Sequence, residues 1–219
     1  MVSKVAASAA EAVADIRDGS TILVGGFGNA GMPALLMDAL IGQGARDLTV
    51  VCNNAGQGDT GLAALLKAKR VKKIVCSFPR QADSYVFDAL YRAGEIALEV
   101  VPQGNLVERI RAAGAGIGAF YTPTGYGTLL AEGKETRTID GRGYVLEYPI
   151  RADVAIVKAS KADRWGNLVY RKTARNFGPV MATAAACTIA QVDEIVELGA
   201  LDPESIVTPG IFVHRVVQA

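Results

Sequence analysis

Between Asp18 and Pro33 the chain reads Asp-Gly-Ser-Thr-Ile-Leu-Val-Gly-Gly-Phe-Gly-Asn-Ala-Gly-Met-Pro, with four glycines inside the seven residues from Gly25 to Gly31. This order dictates a short apolar strand at Thr21 to Val24 and then a loop whose backbone needs conformations open to glycine. A helix follows, entered through Pro33, whose missing N–H is harmless in a first turn. Strand, glycine loop and helix in succession point to an α/β fold. The uncharged stretch from Gly19 to Met37 is not read as a membrane span, because its glycines, Asn29 and Pro33 interrupt the run of about 20 apolar residues that a span requires.

The alternation extends in both directions. Upstream, Ser8-Ala-Ala-Glu11 fits a capping box, and Ala9, Ala12, Val13 and Ile16 share one face of a helix that stops at Gly19. Downstream, helices are expected at Pro33 to Gln43, Leu62 to Lys69, Ser84 to Arg92 and Leu106 to Ala112. Strands are expected between them at Leu48 to Cys52, Lys73 to Phe78 and Ile96 to Val101. From Tyr121 the pattern loosens into shorter strands at Tyr144 to Glu147 and Val154 to Lys158, a hairpin-like turn at Trp165-Gly166-Asn167 and a terminal strand pattern at Ile211 to Val217. With no linker, repeat or low-complexity segment, residues 1–219 read as one α/β domain. Its sheet is open and mostly parallel, covered by helices, and its second half meanders.

Charge excludes several classes of partner. The 23 basic and 22 acidic residues cancel, so no global field draws the chain to nucleic acid or to an anionic membrane. The basic run Lys67, Lys69, Arg70, Lys72 and Lys73 lacks aromatic interleaving and reads as a solvated helix end. Glu11 and Asp15 do not suit a secretory leader, and an odd count of three cysteines without a C-x-x-C pair suits a reducing, cytoplasmic setting. Cys52, Cys76 and Cys187 are read as buried free thiols and the single His214 as structural, so no metal site is expected.

The glycine loop is where chemistry concentrates. Gly26-Phe-Gly28-Asn-Ala-Gly31 is formally G-x-G-x-x-G between a strand and a helix, as in dinucleotide-binding units. Against that reading, the next strand ends in Cys52-Asn53-Asn54 where an acidic residue would hold a ribose, and Pro33 removes a donor from the first turn. Two other readings remain open. The glycines serve only a tight turn, or they let a substrate, a pantetheine arm or another chain lie against free backbone N–H groups.

Further segments carry a likeness to a known family. Asp18 to Pro33, Asn53-Asn54-Ala55-Gly56, Val101-Pro-Gln-Gly104, Gly114 to Gly127, Lys161 to Asn167 and Arg171 to Phe177 resemble, in order and spacing, the A (alpha) subunit of the 3-oxoacid CoA-transferases. The likeness covers nearly the whole chain. Val75 to Asp88 and Leu90-Tyr-Arg-Ala-Gly94 resemble the members that use succinyl-CoA and 3-oxoadipate; acetoacetate is the runner-up acceptor.

The resemblance implies a heterodimer or heterotetramer with a B (beta) subunit. That partner supplies a glutamate nucleophile from a Ser-Glu-Asn-Gly type sequence, and no Glu of this chain precedes an Asn. It also implies a substrate pocket that includes Gln103, with no permanently bound cofactor, since coenzyme A arrives as part of the substrate. Asn53 and Asn54 close another strand and are expected to join Gln103. Arg80 is a candidate bidentate partner for the distal carboxylate of 3-oxoadipate. Gly25, Gly26, Phe27, Gly28, Asn29, Ala30 and Gly31 are expected to contact CoA. Arg171, Lys172 and Arg175 belong either to the subunit interface or to a loop supporting the site, with neither preferred. A stand-alone nucleotide-binding module and a non-catalytic scaffold are the alternatives from other classes.

Overall fold

The structure, a computed structural model, describes residues 2–219; Met1 of the expected unit 1–219 lies outside them. Its first half runs α1 (Ala9–Val13), β1 (Thr21–Val24), α2 (Ala34–Gln43), β2 (Leu48–Val51), α3 (Leu62–Lys67), β3 (Val71–Cys76), α4 (Tyr85–Arg92), β4 (Ala97–Val100) and α5 (Gln103–Gly114). There follow β5 (Phe120–Thr122), β6 (Thr136–Ile139), β7 (Arg142–Glu147), β8 (Ala152–Asp163), β9 (Leu168–Val169), α6 (Gly178–Ala182), β10 (Ala185–Val196) and β11 (Arg215–Gln218), with short 3₁₀ turns between some of them.

The main sheet has the order β11-β10-β8-β1-β2-β3-β4, all parallel, with β9 folded back antiparallel on β8. From β1 the chain steps outward strand by strand to β4, then returns to the other side of β1 as β8. Right-handed crossovers in one direction keep their helices on one face, and reversing direction moves the next helices to the other. The core divides accordingly. Ile22, Val50 and Ile74 pack with Leu36, Leu40, Leu65 and Phe87 from α2 to α4, while Leu23, Val51 and Val75 pack with Leu106, Ile110 and Met181 from α5 and α6. Residues alternate faces along each strand, and the strands read as unbroken apolar runs because both faces are covered.

The meander expected of the second half is a three-stranded antiparallel sheet, β5-β7-β6. Buried Glu147 of β7 fastens it to α5. Its carboxylate accepts from Lys134 Nζ at 2.7 Å and from Asn105 Nδ2 at 3.3 Å, and it lies 3.7 Å from Arg109 Nε. Removing one partner of such a buried cluster leaves others uncompensated, which is what locks the small sheet in place.

Several boundaries differ from the sequence reading. The first helix is one turn and a half, held by Ser8 Oγ accepting from Glu11 N–H and Glu11 accepting from Ala7 N–H, and it ends before the expected Gly19. β8 reaches Asp163, beyond the expected Lys158, and β10 has no counterpart among the expected strands. Ala185 to Val196 mixes small and polar residues that favour neither period, and β10 forms because β8 and β11 pair with it on both sides.

The terminal strand begins at Arg215, so His214 sits just ahead of it. Its Nδ1 accepts from Thr188 N–H at 3.0 Å, while its backbone N–H donates to Thr188 O at 2.8 Å. Burial, then the charges of Lys4 and Arg215, hold its pKa below the usual value. A folded pKa below the unfolded one means that stability is present above about pH 6.5 and is lost as pH falls through that window. Urea unfolding at pH 7 and pH 5 is therefore expected to show a loss of stability that His214→Asn, which keeps an acceptor at the Nδ1 position, abolishes. Asp15 and Glu99 do not blur this window, because their lowered carboxyl pKa values act only at more acid pH.

Candidate functional site

In an open parallel sheet, the loops leaving the carboxyl ends of the strands meet where the chain reverses its winding. Here that point lies between β1 and β8. β1 runs into the glycine loop, β2 into Asn53-Asn54, β3 into Ser77 to Arg80, and β4 through Pro102 into α5.

The glycine loop is a tight hairpin. Phe27 and Ala30 exchange backbone hydrogen bonds of 3.0 and 3.2 Å across Gly28 and Asn29, which lifts the Phe27 ring half out into solvent. Gly25 N–H donates to Ile156 O, and Gly26 N–H donates to Asn176 Oδ1 at 3.1 Å. Four of the loop's seven N–H groups thus have partners inside the protein; among the described residues, those of Gly28 and Asn29 at the tip, and that of Gly31, take none.

Asn176 clamps this loop from a distant part of the chain. Its Oδ1 accepts from Gly26 and Phe177 N–H, and its Nδ2 lies 2.9 to 3.2 Å from the carbonyls of Ala30, Thr173 and Ala174. The clamp explains Gly31, whose φ is +75° and whose hypothetical Cβ would lie 2.4 Å from Ala174 O and 2.8 Å from Asn176 Nδ2. Only glycine fits where two backbones approach so closely.

Gln103, expected at a strand end, is instead the first residue of α5, because Pro102 with its fixed φ opens the helix directly after β4. Its Nε2 donates to Asn53 Oδ1 at 2.7 Å, and Ser77 Oγ donates to the same oxygen at 2.9 Å. Asn53 is buried, so the Gln103 amide is held by a fixed partner, and one of its two N–H bonds remains for a ligand. Gln103, Gly104 and Val107 of α5 face Phe27, Asn176 and Phe177 across a cleft of about 210 Å³.

The remaining candidates lie apart from this cleft. Asn54 turns the other way. Its Oδ1 accepts from Gly56 N–H in a turn-closing bond, and it lines a separate cavity with Gly28, Asn29 and Met32. Arg80 sits exposed on the neighbouring loop with its Nε 2.7 Å from Asp88 Oδ1.

No group lining the cleft is a nucleophile or a general acid or base. The nearby thiols do not serve either. Burial pushes Cys52 well up, and burial pushes Cys76 up to about 12, so both stay protonated at neutral pH. Among the described residues no cluster of three or more His, Cys, Asp or Glu is placed to hold a metal, and no helix is long and apolar enough to cross a membrane.

Comparison with known proteins places this arrangement. Residues 6–219 match the model of the Coenzyme A transferase family. The chain belongs to that family. It is 72% identical, over 99% of its length and 94% of the relative's, to the A subunit of the 3-oxoadipate CoA-transferase of Pseudomonas putida. It is 68% identical to the protein of the same name from Acinetobacter baylyi, over 99% and 95% of the two chains. Among solved structures, the acyl-CoA transferase apoenzyme of Escherichia coli O157:H7 superposes over the whole chain with a TM-score of 0.89 at 24% identity, a likeness of fold. This chain spans about half of that polypeptide, 47%.

Two polar residues that shape the cleft, Ser77 through Asn53 and Asn176 as part of its wall, are absent from the sequence-based candidates. Ser77 is an ordinary strand-end serine. Asn176 falls inside the Arg171 to Phe177 segment that carries the family likeness, but nothing local in the sequence marks its side chain as a clamp; its backbone, at φ +20° and ψ −115°, lies outside the regions that ordinary residues adopt. Gly31→Ala combines a positive φ with the clash at Ala174 O and is expected to cost about 2 kcal/mol or more in urea unfolding. By contrast, in the native protein Cys52 and Cys76 are expected to resist Ellman's reagent at pH 8, reacting only after denaturation.

Proposed function

We propose that this chain is the A subunit of a heteromeric enzyme that moves CoA from succinyl-CoA to 3-oxoadipate. The observation that carries the reading is a cleft furnished with a positioned amide donor and no nucleophile, in a chain 72% identical to the A subunit of a 3-oxoadipate CoA-transferase. A site of that kind is half of a covalent transferase.

On this reading the partner B chain supplies a glutamate carboxylate, which attacks the thioester carbonyl of succinyl-CoA. The tetrahedral intermediate expels CoA thiolate and leaves a succinyl-glutamyl anhydride. The thiolate then attacks the glutamyl carbonyl, releases succinate and forms a glutamyl-CoA thioester. The carboxylate of 3-oxoadipate displaces the thiolate in turn, and the thiolate attacks the resulting 3-oxoadipyl anhydride to give 3-oxoadipyl-CoA and free glutamate. Each tetrahedral stage puts negative charge on a former carbonyl oxygen. The free N–H of Gln103, fixed in direction by Asn53 and Ser77, is the donor this chain supplies to it. The hairpin tip, with the N–H groups of Gly28 and Asn29, is the part of the glycine loop assigned to CoA. No resident cofactor is called for.

Co-expression with the B chain, followed by assay of succinyl-CoA against 3-oxoadipate and acetoacetate, tests the reading. The expected outcome is no turnover by either chain alone and a kcat/KM for 3-oxoadipate at least about tenfold above that for acetoacetate. Equal rates would remove the acceptor assignment, and turnover by this chain alone would remove the division of labour. Gln103→Ala in the complex is expected to lower kcat by about 10²- to 10³-fold.

A further inference from the structure

The loop that ends at Asn176 carries charge that the fold does not use. Arg171, Lys172 and Arg175 are all exposed, and among the described residues none has a carboxylate within ion-pair distance. The other basic run differs in this respect. Lys67 pairs with Asp59, Lys69 with Glu95, Lys73 with Glu99, and Arg70 donates to Gly44 O. Three of that run's five cations are thus paired with carboxylates, whereas none of Arg171, Lys172 and Arg175 is.

Two of the unpaired cations also have a defined address. Lys172 and Arg175, with Phe27, Ala30, Thr173 and Asn176, line a cavity of about 670 Å³, a size suited to a cofactor-sized ligand. Phe27 and Asn176 are at the same time walls of the Gln103 cleft, so the two hollows adjoin. The clamp that shapes the glycine loop therefore also fixes the position of the basic loop against it, through Asn176 Nδ2 and Ala30 O. Lys172 and Asn176 hold φ values of 50° and 20°, so the segment is kept in a backbone shape that ordinary residues adopt only under constraint.

We infer that Lys172 and Arg175, with the exposed Arg171 beside Lys172, form the subsite for the phosphate groups of CoA. The aromatic face of Phe27 then lies between those phosphates and the thioester at Gln103. The inference rests on the CoA-transfer reading above and deepens it. The competing anion is the distal carboxylate of the acyl chain. A short carboxylate is held by an enclosed guanidinium fork, whereas these cations stand on an open rim and number three, which matches a ligand bearing several charges at the solvent boundary.

The test uses the complex of this chain with its B partner and the double variant Lys172→Gln/Arg175→Gln. Both side chains are exposed, so folding is not at stake. Three quantities are measured: kcat/KM for succinyl-CoA, kcat/KM for succinyl-pantetheine, which lacks every phosphate, and the dissociation constant of adenosine 3′,5′-bisphosphate. The variant is expected to weaken bisphosphate binding by about tenfold or more. Its preference for succinyl-CoA over succinyl-pantetheine should fall by the same factor, and the ionic-strength dependence of KM for succinyl-CoA should flatten.

Equal losses on both thioesters would overturn the subsite, as would a raised KM for 3-oxoadipate with bisphosphate binding intact. Dissociation of the complex on size exclusion would do so too, by assigning the cations to an acidic partner surface. The bisphosphate measurement needs no acceptor. A wrong choice of 3-oxoacid would leave it unaffected, while a wild-type complex that turns over but ignores the bisphosphate would sink only the subsite.

Discussion

The parallel pairing of β1 with β8 is the constraint from which the rest of the site follows. Thr21, Ile22 and Leu23 pair with β2 on one side, and Ile22, Leu23 and Val24 pair with Val154, Ala155 and Ile156 on the other. A strand flanked in this way is buried on both faces and both edges, and its chain can leave the sheet only at the ends. Because β8 arrives from the far end of the sequence, the two strands send their continuations in different directions. The gap between them is the crevice that the glycine loop, α5 and the Asn176 segment share. Without the reversal at β1, these loops would lie in a row along one sheet edge.

Inside that crevice two asparagines divide the work. Asn53 gathers Gln103 and Ser77 on one oxygen, tying the ends of β2, β3 and α5 together. Asn176 ties the glycine hairpin to the β9–α6 connection. Asn176 uses both the donor and the acceptor capacity of its amide, which neither a hydroxyl nor a carboxylate offers in the same geometry. The small sheet contributes from behind. Glu147 and Arg109 hold α5 so that its first residue, Gln103, stays at the cleft, and Glu99 is kept ionised despite burial by hydrogen bonds from Lys73 and Arg109. Polar networks of this density are stabilising only when every member is satisfied, and here they are local to the elements that must not move.

How much of this is legible in the sequence depends on sequence distance. The strand, glycine loop and helix at Thr21 to Gln43 can be read because every signal is local: apolar run, glycines, proline, helix face. The joint placement of Gln103 and Asn53 is also readable, since both follow strands of a parallel sheet. β10 is not, because Ala185 to Val196 is a strand by virtue of two neighbours rather than of its own propensity. Asn176 escapes for the same reason at the level of side chains: its partners Gly26 and Ala30 lie about 150 residues away in sequence. Arg80 shows the opposite hazard, a charge that looks available and is paired with Asp88 one helical turn into α4.

The distribution of charge bears on the proposed division of the site between two chains. Among the side chains lining the cleft and the cavity beside it none is a carboxylate; the charged ones are Lys172 and Arg175, and Gln103 supplies an amide donor. A carboxylate nucleophile placed among these on the same chain would be drawn into a salt bridge during folding, as Asp88 is by Arg80 and Glu95 by Lys69. A paired carboxylate is a poorer nucleophile, because its charge is already stabilised. On the proposed reading the glutamate is carried on a separate chain and meets these donors only across the interface between the two. The stabilisation is then reserved for the oxyanion of the tetrahedral stage and withheld from the attacking carboxylate, which is the selective binding of a transition state that catalysis requires.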